Sequence, residues 1–251
     1  MATNPQGDLI LVFDAGTQSI RAALIDRQGA IRHMVKTPIQ PYFSRQPGWA
    51  EQEPAYYWEN LAATARRLLS SDKVDSDRIA GVTVTSQRTT VINLDKNGAP
   101  LRPAILWLDQ RKADMEHNLS PILRGALQAL NKYAIVEKAI RECKSNWIRQ
   151  NQPELWDKTA KFLFLSGFLI HRLTGEYRDS SGSMVGYLPF DFKTHRWAKP
   201  HDMKWKLFPM DPSVLPELVA PASRLGHITR KASEDTGIPE GLPVIAAGTD
   251  K

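Results

Sequence analysis

Two short apolar runs constrain this sequence most, because each one leads into glycine, threonine and aspartate. Residues 9–13 (LILVF) precede Asp14, Gly16 and Thr17, and residues 244–247 (VIAA) precede Gly-Thr-Asp at 248–250. Apolar runs of this length are typical of buried strands. Open α/β sheets bind their ligands at the carboxyl ends of strands. Two strand-end carboxylates beside glycine and threonine therefore predict a site that handles phosphate and a hydroxyl group.

The remaining periodic segments predict an α/β fold with a mixed sheet and flanking helices. The predicted strands lie at 8–14, 19–26, 30–37, 79–86, 90–95 and 244–247. The turn at 26–29 makes the second and third of them antiparallel. The predicted helices begin at Pro54, dominate 111–174 with the clearest at 156–173, and recur near 201–208 and 230–237. The proline- and aromatic-rich stretch 176–221 is expected to be an irregular insertion on the substrate side.

Composition excludes several classes of protein. The 251 residues carry 33 basic and 27 acidic side chains, but the bases are scattered among acids without a nucleic-acid-binding pattern. We therefore expect no nucleic-acid partner. The longest mainly apolar run, 162–170, is shorter than the roughly 20 residues of a membrane span, so no membrane partner is expected. A single cysteine, Cys143, and the absence of a signal-peptide pattern indicate a cytoplasmic protein.

The first candidate site is the turn DAGTQSIR at 14–21. Backbone amides in such a turn can face an anion, and glycine lets a ligand approach closely. The candidate phosphate-facing residues are Asp14, Gly16, Thr17, Gln18, Ser19 and Arg21. Asp14 also offers a carboxylate to Mg²⁺, directly or through water. The segment is not a Walker A loop, and such a turn taken alone is more often an ordinary hairpin.

Candidate substrate residues follow two other apolar runs. Gln87, Arg88 and Thr89 stand at the end of the strand predicted over 79–86, where their side chains could bind substrate hydroxyls or simply face solvent. Trp107 could pack on the face of a sugar or belong to the core. Asp250 is a candidate general base, which needs one carboxylate within hydrogen-bond reach of the reacting hydroxyl.

Taken together, these segments resemble the FGGY family of carbohydrate kinases. The segments that carry the resemblance are FDAGTQSIRAALID, PGWAEQEPAYYWEN, SQRTT, NGAPLRPAILWLDQR, NWIRQNQPELWDKTAKFLFLSGFLIHRLTGE and LPVIAAGTD. The resemblance extends from about residue 8 to the last residue. It implies an actin-like, ribonuclease H-like sugar-kinase fold.

The resemblance also implies a division of labour. Residues 1–251 would form the N-terminal, sugar-binding domain of a two-domain kinase that uses ATP and Mg²⁺, inactive without its C-terminal nucleotide-binding domain. Residues 14–21 would be the phosphate-facing hairpin, with Asp14 at the metal, and Asp250 would be the catalytic base, in contact with the substrate. The family's substrate segments fall on Gln87, Arg88, Thr89 and Trp107. The resemblance leaves open whether the protein forms a homodimer.

The substrate is not fixed by the resemblance. Thr89 stands where glycerol kinases have glutamate, and the Gly-Gln-Met-His-Gly segment of xylulokinases is absent. A sugar, glycerol or another open-chain polyol therefore remains open as the phosphoryl acceptor. The rival interpretation is a non-catalytic actin-like module that binds a sugar or a protein partner. The presence of both Asp14 and Asp250 argues against this rival, because replacing either would be the simplest way to lose catalysis.

Overall fold

The computed structural model describes residues 7–115 and 119–248. In chain order its strands are β1 (Leu9–Ala15), β2 (Ser19–Asp26), β3 (Ile31–Pro38), β4 (Glu51–Gln52), β5 (Ile79–Ser86), β6 (Val91–Leu94), β7 (Ala104–Ile105), β8 (Lys161–Phe164), β9 (Arg178–Ser180), β10 (Phe190–Asp191), β11 (Arg196–Trp197), β12 (Glu217–Val219), β13 (Arg224–His227) and β14 (Pro243–Ala246). Its helices are α1 (Pro54–Leu69), α2 (Pro121–Ala129), α3 (Tyr133–Glu142), α4 (Lys144–Asn151), α5 (Pro153–Asp157), α6 (Leu165–Thr174), α7 (Lys204–Leu207) and α8 (Arg230–Thr236).

A six-stranded mixed sheet, in the order β13-β14-β5-β1-β2-β3, is the main scaffold. The hairpin strands β1, β2 and β3 pair antiparallel, whereas β1 pairs parallel to β5 and β5 pairs parallel to β14. The carboxyl ends of β1, β5 and β14 consequently meet at one edge. The predicted antiparallel start and mixed sheet are confirmed.

The main core lies between this sheet and helices α1, α6 and α8. Helix α1 begins with Pro54 in its first turn and buries Tyr57, Trp58, Leu61 and Leu68 on one face. This face has the three- and four-residue spacing that the sequence predicted. Burial of these large side chains fixes α1 against β2 and β3, and it places Tyr57 beside the carboxyl edge of the sheet.

The helix predicted over 156–173 is wrong in its first half. Helix α5 ends at Asp157, and the chain then forms strand β8 before α6 begins at Leu165. β8 pairs antiparallel with β6, in a second sheet of order β4-β7-β6-β8. The continuous apolar run at 162–170 hides this change, because buried strands and buried helices look alike in such a run. Gly175 ends α6 as predicted, with a φ of 77° that favours glycine.

The stretch 176–221 is irregular, as predicted. It contains two short strand pairs, β9 with β12 and β10 with β11, and the one-turn helix α7. Phe190 and Trp197 of this stretch pack into a second hydrophobic cluster with β6, β8 and the middle of α4. Gly186 of this stretch lies against Thr89 in the loop after β5, and residues 185–188 line a cavity together with that loop.

Candidate active site

The carboxyl edge of the main sheet brings the two predicted strand ends together. Asp14 on β1 lies in register with Thr85 on β5, and the Thr85 hydroxyl donates to the carbonyl of Gly248, with 3.0 Å between the oxygens. The hairpin after β1 and the segment after β14 are thus neighbours. Thr249 and Asp250 lie outside the described residues, so the predicted base remains a prediction.

The turn between β1 and β2 is a closed hairpin with a charged pair at its base. The Gly16 amide donates to the Ser19 carbonyl at 3.0 Å, which closes the turn. Arg21 Nη1 lies 2.5 Å from Asp14 Oδ2, and both side chains are partly exposed. Gln18 is exposed, but Ser19 is buried and therefore does not present its hydroxyl at the surface.

A chain of hydrogen bonds joins the hairpin to the candidate substrate residues. The Trp107 indole N–H donates to the Thr17 hydroxyl at 3.1 Å, and that hydroxyl donates to Gln87 Oε1 at 2.7 Å. Gln87 Nε2 in turn donates to the Tyr57 hydroxyl at 2.9 Å. Burial raises the pKa of Tyr57 far above its usual range, so this phenol stays neutral. The sequence predicted three of these four residues.

The loop after β5 has an unusual backbone conformation. Thr89 has a φ of 51°, in the region that favours glycine. A Cβ atom on Gly186 would come within 2.8 Å of Thr89 Cγ2, so the 185–188 segment can approach this loop only through a glycine. Arg88 and Thr89 consequently line a cavity whose opposite wall is the irregular stretch.

The main cavity has a volume of about 770 Å³, in the usual range for small-molecule sites. It is lined by five predicted residues: Thr17, Gln87, Arg88, Thr89 and Trp107. Trp107 is 51% exposed, so its ring forms cavity wall instead of core. The sequence analysis placed 176–221 on the substrate side but did not name the residues of the apolar wall as site residues: Val185, Tyr187, Leu188, Phe190, Phe192, Leu207 and Phe208. The aromatic content of 176–221 was the signal that could have identified it.

A side cavity of about 540 Å³ adjoins the main one, and both are lined by Thr89, Trp107, Tyr187 and Leu188. Its wall carries charged side chains from two elements: Asp109, Arg111, Lys112, Glu142 and Lys144. Glu142 and Lys144 were not predicted as site residues. They lie at the junction of α3 and α4, where residues 141–144 read Arg-Glu-Cys-Lys and depart from the Thr-Ala-Pro-Lys segment of many family members.

Two groups in the side-cavity wall are constrained by burial. Lys144 Nζ donates to the Asp109 carbonyl at 2.6 Å, and desolvation lowers the pKa of this ammonium. The Cys143 thiol is buried and its pKa is raised, first by desolvation. It contacts the Ser145 hydroxyl at 3.0 Å and donates to the Tyr187 carbonyl at 3.3 Å, the arrangement of a packed structural thiol.

The described residues hold no group of three or more His, Cys, Asp or Glu side chains that could form a protein-only metal site. Asp14 nevertheless fits Mg²⁺, because this ion usually takes one or two carboxylates and completes its shell with water and substrate phosphates. The Asp14 side chain keeps 29% of its surface exposed beside Arg21. In the described part of the chain, no helix is long and apolar enough to cross a membrane.

Comparison with known proteins gives a consistent result. The chain is 31% identical over 235 residues to a glycerol kinase of Thermococcus onnurineus, covering 92% of this chain and 46% of that protein. It is 26% identical over 247 residues to a xylulose kinase of Staphylococcus epidermidis, covering 97% of this chain and 47% of that protein. The chain spans about half the length of the curated relatives it matches.

Solved structures agree with this fold assignment. The xylulose kinase of Rhodospirillum rubrum superposes with a TM-score of 0.78 at 26% identity, covering 96% of this chain and 49% of that one. Plasmodium falciparum glycerol kinase with ADP gives 0.74 at 25% identity, covering 96% and 48%. The predicted sugar-kinase fold is therefore confirmed. The profile of the FGGY family of carbohydrate kinases, N-terminal domain, matches residues 9–251, and the chain belongs to this family.

Proposed function

We propose that this chain is the sugar-binding domain of a two-domain kinase that transfers the γ-phosphoryl group of ATP to a hydroxyl of a sugar or polyol. The observation that carries the proposal is the meeting of three parallel strand ends at one edge of the sheet, where Thr17 and residues 87–89 line the main cavity. The Asp14 hairpin, the Gln87–Thr89 loop and the strand that leads to Asp250 all lie at that edge. Membership of the carbohydrate kinase family supports the same reaction.

Each side chain in the site takes a distinct role in this proposal. Arg88 and Thr89 donate to and accept from substrate hydroxyls, and the exposed ring of Trp107 packs on the carbon skeleton. Gln87 acts mainly by holding Thr17 and, through it, Trp107. Asp250 accepts the proton of the attacking hydroxyl. The hydroxyl oxygen then forms its bond to the γ-phosphorus as the bond to the β–γ bridging oxygen breaks, which leaves ADP.

The hairpin handles the phosphate side of the site. Asp14 would hold Mg²⁺ directly or through water, and the metal when bound neutralises charge on the phosphate oxygens. Arg21 and the Thr17 hydroxyl stand on the same hairpin, at the end of the cavity nearest the strand edge. Adenine and most phosphate contacts come from a C-terminal domain, and closure of the two domains excludes water.

We also infer that the protein works in the cytosol. One buried cysteine suits a reducing compartment, and the proposed co-substrate is abundant there. The partners required by this proposal are the sugar or polyol and the C-terminal domain.

A coupled ATP assay on the two-domain protein tests the proposal. We expect ADP release that depends on an added polyol or ketose, and no useful turnover from the 251-residue chain alone. Calorimetry should still detect sugar binding to the chain. Binding of sugars without any phosphorylation by the two-domain protein would instead favour the non-catalytic module.

A further inference from the structure

The polar groups of the main cavity lie mostly on one wall, where Arg88 and Thr89 can serve only the near hydroxyls of a long substrate. Two other polar groups of the cavity, Thr17 and Gln87, are already hydrogen-bonded within the protein. Thr17 bonds to Trp107 and Gln87, and Gln87 bonds to Tyr57. The facing wall is largely aromatic and aliphatic. A hydroxyl placed against that wall would lose its bonds to water without replacement, at a cost of about 1–3 kcal/mol.

The side cavity supplies the missing polar partners. It adjoins the main cavity, and Trp107 and Tyr187 line both. Glu142 Oε2 accepts a hydrogen bond from the Tyr187 hydroxyl at 3.1 Å, which leaves the rest of the carboxylate as acceptor. Lys144 has three donors; the Asp109 carbonyl at 2.6 Å takes one and Asp109 Oδ1 lies 3.5 Å away, which leaves at least one donor for a ligand.

We propose that the side cavity is the distal subsite of the substrate pocket, where Glu142 and Lys144 bind the far hydroxyls of an open-chain polyol or ketose longer than glycerol. The proposal rests on the proposed kinase function for the identity of the acceptor. The phosphorylated hydroxyl lies at the strand edge, the carbon chain crosses Trp107, and its far end enters the side cavity.

The charges at the subsite favour a neutral chain over an acid. A hydroxyl can donate to Glu142 and accept from Lys144, so it satisfies both members of this oppositely charged pair. A terminal carboxylate gains from Lys144 but is repelled by Glu142, and the Arg111 guanidinium in the same wall is already paired with Asp109 and Glu51. Lys112 also lines the cavity, but it is exposed at the rim, where water screens its charge.

A chain-length series tests the subsite. KM is measured in the two-domain protein with glycerol, erythritol, xylitol and sorbitol, together with xylulose and gluconate. We expect KM to fall from three to five or six carbons, and gluconate to bind more weakly than sorbitol. Glu142→Gln should reduce the preference for xylitol over glycerol roughly tenfold. Glu137→Gln is the matched control, since Glu137 pairs with Arg141 on the same helix and does not line the cavity.

Calorimetry on the wild-type chain gives a second, independent measurement of the same preference. If no polyol is phosphorylated but binding strengthens with chain length, the kinase proposal fails and the subsite stands. Equal binding of glycerol and xylitol would overturn the subsite. So would an unchanged chain-length preference in a folded Glu142→Gln protein, or tighter binding of gluconate than of sorbitol.

Discussion

Replacing Thr17 by valine should test the hydrogen-bond chain that links the hairpin to the sugar cavity. Valine keeps the shape of threonine and deletes the hydroxyl that accepts from Trp107 and donates to Gln87. Gln87 is only 3% exposed, so its Oε1 would lose its partner at a place where little water reaches it. An unsatisfied buried acceptor costs about 1–3 kcal/mol. The indole of Trp107 is 51% exposed and can bond to water, so it adds little.

This cost should be visible in equilibrium unfolding. For a chain of this size each kcal/mol lowers Tm by about 2–4 °C, so we expect Thr17→Val to melt roughly 2–12 °C below wild type. Thr17→Ser keeps the hydroxyl and serves as the matched control. Sugar binding by calorimetry should weaken in the valine variant, because Trp107 loses the contact that orients its ring. If the free energies of unfolding of the valine and serine variants agree within about 0.5 kcal/mol, the hydrogen-bond chain does not stabilise the fold and our argument fails.

Three further predictions address the other groups. Asp250→Asn in the two-domain protein should lower kcat by about 10²–10⁴ while calorimetric sugar binding changes little, and near-normal kcat would place the base elsewhere. Arg88→Ala should weaken sugar binding to the chain by about 1–3 kcal/mol, whereas Arg21→Ala should spare it and raise only the KM for ATP; the reverse pattern would exchange our two assignments. Burial raises the pKa of Asp179 from the ordinary 3.8 to about 7, so the folded state binds this proton more tightly than the unfolded state. Stability should therefore fall as pH rises from about 4 to about 7, on the order of 1 kcal/mol per pH unit, and urea titrations of Asp179→Asn should lack this slope.

Sequence patterns predicted the scaffold well where one physical signal dominated. Alternating and continuous apolar runs located β1, β2, β3 and β5 to within a residue or two, and Pro54 marked the start of α1. The run that forms β8 and α6 was wrongly predicted as one helix. Nearly every residue in it is buried, so its sequence lacks the alternation of apolar and polar residues that distinguishes a strand from a helix.

The candidate site was predicted unevenly for a similar reason. Thr17, Gln87 and Trp107 follow strand ends, so their convergence could be expected from topology. Tyr57, Glu142 and Tyr187 come from a helix face, a helix end and an irregular loop. Their places in the site depend on tertiary hydrogen bonds between distant segments, which no local pattern records.

A network of buried charges joins the segment before α1 to the turn that carries Trp107. Glu51 bonds to Arg102 and lies 3.0 Å from Arg111, and Arg111 binds both carboxylate oxygens of Asp109. Asp109 Oδ2 also accepts the Ala50 amide at 2.8 Å. Burying such a network costs desolvation energy that its attractions roughly offset, so stability alone does not account for it. We infer that it fixes the turn carrying Trp107, because a site needs rigid support beneath the side chains that touch its ligand. PGWAEQEP and WLDQR are thus one unit in space, a platform for one wall of the cavity.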